Sequence, residues 1–407
     1  MIEAAARPRS QTAWTAVGLA LVPFIGLGLG RFAYALLLPS MQANLQFSNT
    51  VAGLLNAANA LGYLLGAVSG GAVARRWGER TAIAIGLVAC ILPMGLTGAV
   101  STVPLVFLLR CLSGVGTAVA FVGAAGLAGR LPPDTLRRYG GPLALYAAGA
   151  GAGVAVSAGI APLVLEGGGG GWRVGWVVLG VFALLLTPGA LLAARAVPRR
   201  AARTPSAPTT GTPVPGPGEI RSPRRTLAPV LAAYALFGFG YVAYMTFVVS
   251  LWHRQRLGEG TITALWFLLG IAACLAPLAW APVSRRVTGA RLPATALFVV
   301  ALGAALPLAG STVIDIGSAL LFGASFLAVV TQVTIVARRT LPAPALTAGI
   351  AILTAAFGAG QVLGPIAAGA VSDGGNGVAR GLAMSAIALL AAALIALVRL
   401  PDRPRDA

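Results

Sequence analysis

Stretches of about twenty apolar residues recur along the entire chain, separated by short segments that hold most of the polar and charged positions. A helix of about twenty residues crosses a hydrocarbon core of roughly 30 Å. The pattern predicts helices at Trp14 to Leu38, Ser48 to Ala74, Thr81 to Val100, Val103 to Ala128, Gly140 to Leu163 and Trp172 to Ala194. Six more are predicted at Leu227 to Leu251, Thr261 to Ser284, Leu292 to Gly310, Val313 to Ala337, Ala345 to Val371 and Val378 to Arg399. The fold class that follows is an all-α membrane protein of twelve transmembrane helices. Its parts are an N-terminal segment 1–13, a six-helix bundle 14–194, a linker 195–226, a second bundle 227–399 and a tail 400–407.

Composition strengthens this picture. Of 407 residues, 57% are hydrophobic and only 10% charged, where soluble domains carry roughly a quarter charged. The formal charge of +19 raises the question of nucleic acid, and its placement answers it. All 29 basic residues are Arg, and nearly all sit between apolar runs, as topology signals do, so no nucleic-acid partner is expected. With alternate loops assigned to opposite sides, sixteen Arg fall on one side, seven in the linker, four on the other side and two inside helices. Arg concentrates on the cytoplasmic side, which predicts a multi-pass protein of the bacterial inner membrane with both termini cytoplasmic. The run from Trp14 is too long, and lacks the small-residue cleavage site, for a secretory signal, so it reads as a retained first helix. The linker carries seven prolines, at 198, 205, 208, 213, 215, 217 and 223, and reads as disordered and cytoplasmic, with Arg that can rest on lipid headgroups.

A shift of 210 residues lays Gly28, Gly30, Ala33 and Tyr34 on Gly238, Gly240, Ala243 and Tyr244. The same shift lays Arg75-Arg76 on Arg285-Arg286 and Leu131-Pro132 on Leu341-Pro342, and brings Gly149 within one residue of Gly358. One shift shared by separate landmarks argues for duplicated, pseudo-symmetric six-helix bundles. Two such bundles can rock about a site between them. Glycines in small-xxx-small spacing, such as Gly62 with Gly66, Gly149 with Gly153 and Gly360 with Gly364, serve either sliding or tight packing, a choice the sequence leaves open.

The loop after the second helix reads Gly71-Ala-Val-Ala-Arg75-Arg76-Trp-Gly78-Glu79-Arg80, and the fourth helix contains Arg110-Cys-Leu-Ser-Gly114-Val-Gly116. Both resemble motifs of the major facilitator superfamily, the first with Arg75 where that superfamily usually has Asp. Gly28 to Tyr34, then Pro39 and Met41, then Asn59, Gly62, Tyr63 and Gly66, look like its bacterial YbfB/YjiJ-type subgroup. The resemblance implies a secondary carrier with the two-bundle major facilitator fold. It also implies gating by the loop residues Gly71, Arg75, Arg76, Gly78 and Arg80, with the duplicated Arg285 and Arg286, and a coupling part for Arg110. The fifth helix has no match to the motif of the superfamily's drug antiporters.

Charged groups inside hydrocarbon are costly, which singles out Arg31 and Arg110. Each is seven residues from the outer end of its predicted helix, about 10 Å deep at 1.5 Å per residue. Tyr34 stands one turn from Arg31, and Asn56, Asn59 and Tyr63 share a face of the second helix. The 210-residue shift pairs Arg31 with Tyr241 and Asn56 with Trp266. These residues, with Tyr244 and Gln361, make up a predicted site for a small organic anion, held by guanidinium groups and walled by aromatic rings. Arg110 and the amides also fit ordinary roles in helix packing, as does Gln332.

Candidates for coupling to a proton or counter-anion are Asp315 and His253, both read as near the outer ends of their helices, and both equally readable as interfacial residues. The sequence has one His, three scattered Cys (Cys90, Cys111 and Cys274) and no clustered acids, so an enzyme, a metal site and a cofactor are not expected. Partners are a small solute and membrane lipid, with the chain a monomer. Drug or metabolite efflux, and a receptor or scaffold without transport, remain the alternatives.

Overall fold

The structure, a computed structural model, describes residues 9–136, 139–165, 170–198, 223–287, 291–341, 343–374 and 377–399. Among these residues twelve helices are long and apolar enough to span a membrane. They are α1 (Ser10–Leu45), α2 (Asn49–Trp77), α3 (Glu79–Thr97), α4 (Val103–Ala128), α5 (Pro142–Leu165) and α6 (Gly171–Ala196). The second half holds α7 (Pro223–Arg254), α8 (Glu259–Arg286), α9 (Arg291–Ala309, its last turn 3-10), α10 (Thr312–Thr340), α11 (Ala343–Ser372) and α12 (Gly377–Arg399). Alternation of twelve spans puts both described chain ends on one face, here called the chain-end face. Residues 1–8, 199–222 and 400–407, which hold most of the predicted terminal segment, linker and tail, lie outside the described residues.

The first helix departs most from its predicted bounds. It continues past Leu38 to Leu45 because the polar residues beyond the apolar run find partners: Gln42 Nε2 donates to Asn49 Oδ1 at 3.2 Å, and Asn44 Oδ1 accepts from Trp172 Nε1 at 3.2 Å. Its middle, Phe24–Phe32, is a π-helix, widened around Gly26, Gly28 and Gly30. Gly28 packs against Gly153 of α5, where a Cβ would lie 2.4 Å from the partner's Cα. The three small-residue pairs all mark helix crossings within a half: Gly62 and Gly66 face α4, Gly149 and Gly153 face α1, and Gly360 and Gly364 face α7. Close packing is thus one established use of these glycines.

The two halves meet along two seams, both toward the face opposite the chain ends. On one, α2 lies against α11, so closely that a Cβ on Gly53 would fall 2.0 Å from the Pro365 carbonyl oxygen. On the other, α5 meets α8 through Trp266 Nε1, which donates to Ser157 Oγ at 3.2 Å, and through Gly151 against the Cys274 backbone. The first seam continues to mid-helix, where Leu64 of α2 packs on Gly358 of α11, and beyond it Leu65 and Val68 are exposed.

At the far end of the first seam Asp373, just beyond α11, receives the N-terminus of α2. Its carboxylate accepts from Asn49 N at 2.7 Å, Thr50 N at 3.0 Å and Thr50 Oγ1 at 2.5 Å, while Asn49 Nδ2 donates to the Ser372 carbonyl at 3.2 Å. Free N–H groups and the helix dipole both favour an anion at this position. Partial burial pushes the Asp373 carboxyl up, but the hydrogen bonds from Thr50 and Asn49 outweigh it and hold the group below the usual carboxylate range.

Because that pKa is lowered in the closed contact, the contact's full strength is present above the ordinary Asp value of about 3.9 and is lost as pH falls through the lowered value. An exposed anion at a helix N-terminus contributes about 0.3–1 kcal/mol. Asp373→Asn is therefore expected to shift the far face toward separation by up to roughly fivefold in population. Spin-label distances between Gln46 and Gly374, in a chain lacking the three native cysteines, check this, and an unchanged distribution at neutral pH counts against it.

Candidate functional site

The π-helical middle of α1 carries the central residue. Arg31 is 3% exposed and lies fourteen residues from Leu45, deeper than the seven predicted, because the helix is longer than its apolar run. Its Nη2 donates to Gln361 Oε1 of α11 at 2.5 Å, a bond between the two halves. The guanidinium carbon lies 5.5 Å from the Tyr63 ring centroid and 5.9 Å from that of Phe32. Its Nε is buried with no hydrogen-bond partner.

Arg110, 2% exposed, is held wholly within the first half. Its Nη1 donates to the Gly30 carbonyl at 2.7 Å and its Nη2 to Asn56 Oδ1 at 3.2 Å. The guanidinium sits 4.6 Å from the Tyr34 ring and 5.4 Å from the Trp176 ring. Asn59 Nδ2 donates back to the Arg110 carbonyl at 3.0 Å, and Tyr34 Oη donates to the Ala52 carbonyl at 2.9 Å. Arg110, Asn59 and Tyr34 thus tie α1, α2 and α4 together behind Arg31. Asn56 belongs to both groups, since its Nδ2 also donates to Thr246 Oγ1 of α7 at 2.5 Å.

The second half brings rings to Arg31. Tyr241 stacks on Phe237 at 4.9 Å, Phe357 at 5.6 Å and Phe326 at 6.0 Å, and Phe326 meets Phe32 edge-on at 5.8 Å across the halves. Tyr234 extends the stack on Phe357 at 4.4 Å. Two predicted aromatic residues lie elsewhere. Tyr244 is packed inside the second half, with its hydroxyl 2.7 Å from Ser318 Oγ and its ring 3.8 Å from Phe322. Trp266 is buried in the α5–α8 seam.

The predicted gating loop serves the first half. Gly78 alone joins α2 to α3, at φ +85°, a region that favours glycine. Arg80 donates to the carbonyls of Ala194, Arg195 and Val197, where a cation suits the C-terminus of α6. Glu79 pairs with Arg130. Gly71 is half-buried, and Arg75, Arg76, Arg285 and Arg286 are exposed.

Of the coupling candidates, His253 lies half-exposed with Nδ1 3.5 Å from Glu259 Oε1. Asp315 is different: although in the first turn of α10, it is 0% exposed, and neither carboxyl oxygen has a hydrogen-bond partner. The buried Trp252 indole N–H lies beside the carboxyl and is the donor that faces it, outside good hydrogen-bond geometry. Among the described residues the ion pairs are Glu79 with Arg130 and His253 with Glu259, so no acid faces Arg31 or Arg110. No group of three His, Cys, Asp or Glu that could hold a metal ion is found among them.

A family profile described as "Uncharacterised MFS-type transporter YbfB" matches residues 23–397. The chain belongs to this family of major facilitator superfamily transporters. It is a multi-pass membrane transporter of a small molecule. Solved structures share its fold. A bacterial homologue of the human lysosomal transporter Spinster, inward-facing and unoccupied, superposes with TM-score 0.71 at 16% identity over 99% of this chain and 100% of that one. The occupied form of the same homologue gives TM-score 0.70 at 16% identity and the same coverage. A mutant of the nucleoside transporter NupG gives 0.66 at 14% identity, over 95% of this chain and all of that one. No curated protein matches this YbfB-type chain in sequence.

Several residues at the site escaped the sequence reading. Thr246, Phe326 and Phe357 have no motif, but Tyr234, Phe237, Tyr241 and Tyr244 recur at intervals of three, four and three, which marks one face of α7. That spacing was the signal for the aromatic stack.

The two arginines should respond differently to truncation. Arg110→Met leaves the Gly30 carbonyl and Asn56 without their donor, at about 1–3 kcal/mol for an unsatisfied buried group. Arg31→Gln leaves only Gln361 to re-pair and is expected to keep near-normal thermal stability in detergent. Equal melting temperatures for the two variants would contradict this division.

Proposed function

We propose that this YbfB-type transporter carries a small organic anion by alternating access, with Arg31 as the group that contacts the carboxylate or similar anionic part. The observation that carries the reading is a buried guanidinium with no acid facing it whose one protein bond, to Gln361, crosses between the halves; its unpartnered Nε is a feature that Arg110 shares inside the first half. Such a charge is expensive in hydrocarbon and is retained where it serves a ligand. An anion supplies what the protein leaves out, by charge-assisted and potentially paired hydrogen bonds. Tyr63, Tyr241 and Phe357 offer ring faces to its apolar part. In this reading the far face is closed and the chain-end face open, and release of the Arg31–Gln361 bond accompanies the exchange. The bias of Arg toward the chain-end face supports placing that face in the cytoplasm of a bacterial cell.

For coupling, we propose Asp315 as the proton-carrying group. A buried carboxyl that meets no acid or base and has the Trp252 indole N–H as its facing donor, close to Tyr244 of α7 and one turn from Ser318, has the setting of intramembrane acids that serve proton relays. In this reading His253, paired with Glu259, is an interfacial residue.

Proteoliposomes loaded with labelled carboxylates, amino acids, sugars and hydrophobic cations test the substrate class. Uptake of a carboxylate is expected, and Arg31→Ala is expected to weaken it roughly tenfold or more, the equivalent of one charge-assisted hydrogen bond. Preference for cations, or full uptake by Arg31→Ala, overturns the anion site. Under an imposed pH gradient Asp315→Asn is expected to abolish accumulation while sparing counterflow; accumulation equal to wild type removes Asp315 from the coupling scheme.

A further inference from the structure

Where the α5–α8 seam parts toward the chain-end face, α5, α8 and α10 border a cavity of about 340 Å³, within the roughly 300–1,000 Å³ of small-molecule sites. Both halves contribute. Leu143, Ala144 and Ala148 come from the first, and Ala276, Pro277 and Trp280 come from the second. None of the seventeen lining residues is charged. The Trp280 indole N–H is used by the Ala324 carbonyl at 2.9 Å, and the Ser284 hydroxyl by the Ala281 carbonyl at 3.0 Å. The Thr331 hydroxyl is on an exposed residue at the cavity's margin, whereas Gln332 lines the cavity, is 4% exposed, and its Oε1 has no hydrogen-bond partner. It stands six residues beyond Phe326, about 9 Å along α10 from the rings near Arg31.

We propose that this cavity is a second binding site, for an uncharged amphiphile with one hydroxyl on a slim alkyl body, and that its occupant wedges α5 from α8. The lining has no counter-charge for an ion, and its small apolar walls suit an alkyl chain. A hydroxyl both donates and accepts, so it pairs with the unsatisfied amide end of Gln332. The wedge follows from position and rests on the alternating-access reading above. The seam is already tight at Gly151 and Cys274, so closing the chain-end face has to bring Ala144 and Ala148 onto Pro277 and Ala281. Anything in the cavity opposes that closure.

The test uses the full chain in nanodiscs and bromine quenching of Trp280 fluorescence, taken as the difference between wild type and Trp280→Phe. Bromohexanol added from water, and a brominated monoacylglycerol confined to the bilayer, distinguish an aqueous from a lipid source of the same chemistry. Saturable quenching by one of them is expected, weakened about three- to tenfold in Gln332→Leu by loss of one hydrogen bond and abolished in Ala276→Leu, which fills the cavity. Unsaturable quenching, equal quenching by bromohexane, or binding unchanged in both variants overturns the site. Far-face distances between labels at Gln46 and Gly374 then test the wedge: a bound probe should keep them short. Lengthening with the probe bound refutes the wedge. Since quenching reads binding without transport, failure of the anion reading leaves the site itself open to confirmation.

Discussion

Inside a bilayer a guanidinium has no water to fall back on, so its donors are met by protein groups or left for a ligand. In this transporter both buried arginines leave their Nε unpartnered, and they differ in where their other donors go. Arg110 bonds the carbonyl of Gly30 and the amide of Asn56, and its charge rests over Tyr34 and Trp176. That network holds the widened middle of α1 against α2 and α4, and it positions the neighbouring Arg31. Arg31 in turn faces the other half, with one bond to Gln361 and an Nε that nothing occupies. Arg110 makes two bonds inside one half and Arg31 a single bond across to the other, so the first is fixed by packing while the second depends on how the halves sit.

The two halves differ at positions that the 210-residue shift matches, as the carbonyls of Gly30 and Gly240 illustrate. In the first half the Gly30 oxygen accepts from Arg110; in the second, the Gly240 oxygen accepts from Ser385. The same structural need is met once by a charge and once by a hydroxyl. Likewise Tyr34 and Tyr244 occupy matching positions, yet one bonds the Ala52 carbonyl and the other pairs with Ser318. One half has become cationic and the other aromatic around a shared backbone plan, which makes the interface between them asymmetric.

The seams between the halves depend on small residues and on few polar contacts. Gly53 against Pro365 and Gly151 against Cys274 allow backbones to touch, while Asp373 on the α2 N-terminus and Trp266 on Ser157 add direction. Contacts of this kind are individually modest.

Hydropathy was enough to place twelve spans and the two intramembrane arginines, because the cost of polar groups in lipid acts locally on each segment; the repeat was read separately, from one shift shared by several landmarks. The errors of hydropathy were local too: α1 outran its apolar run once Gln42 and Asn44 found partners on other helices. Which residues meet was decided only by the tertiary structure. Arg31 and Gln361 are 330 positions apart, and Asn56 and Thr246 are 190. Trp266 and Tyr244 shared the sequence signature of cavity residues and went instead to a seam and a core. Periodicity reports which face of a helix is buried, but the partner of that face is set by how two bundles pack against each other, and no single segment encodes it.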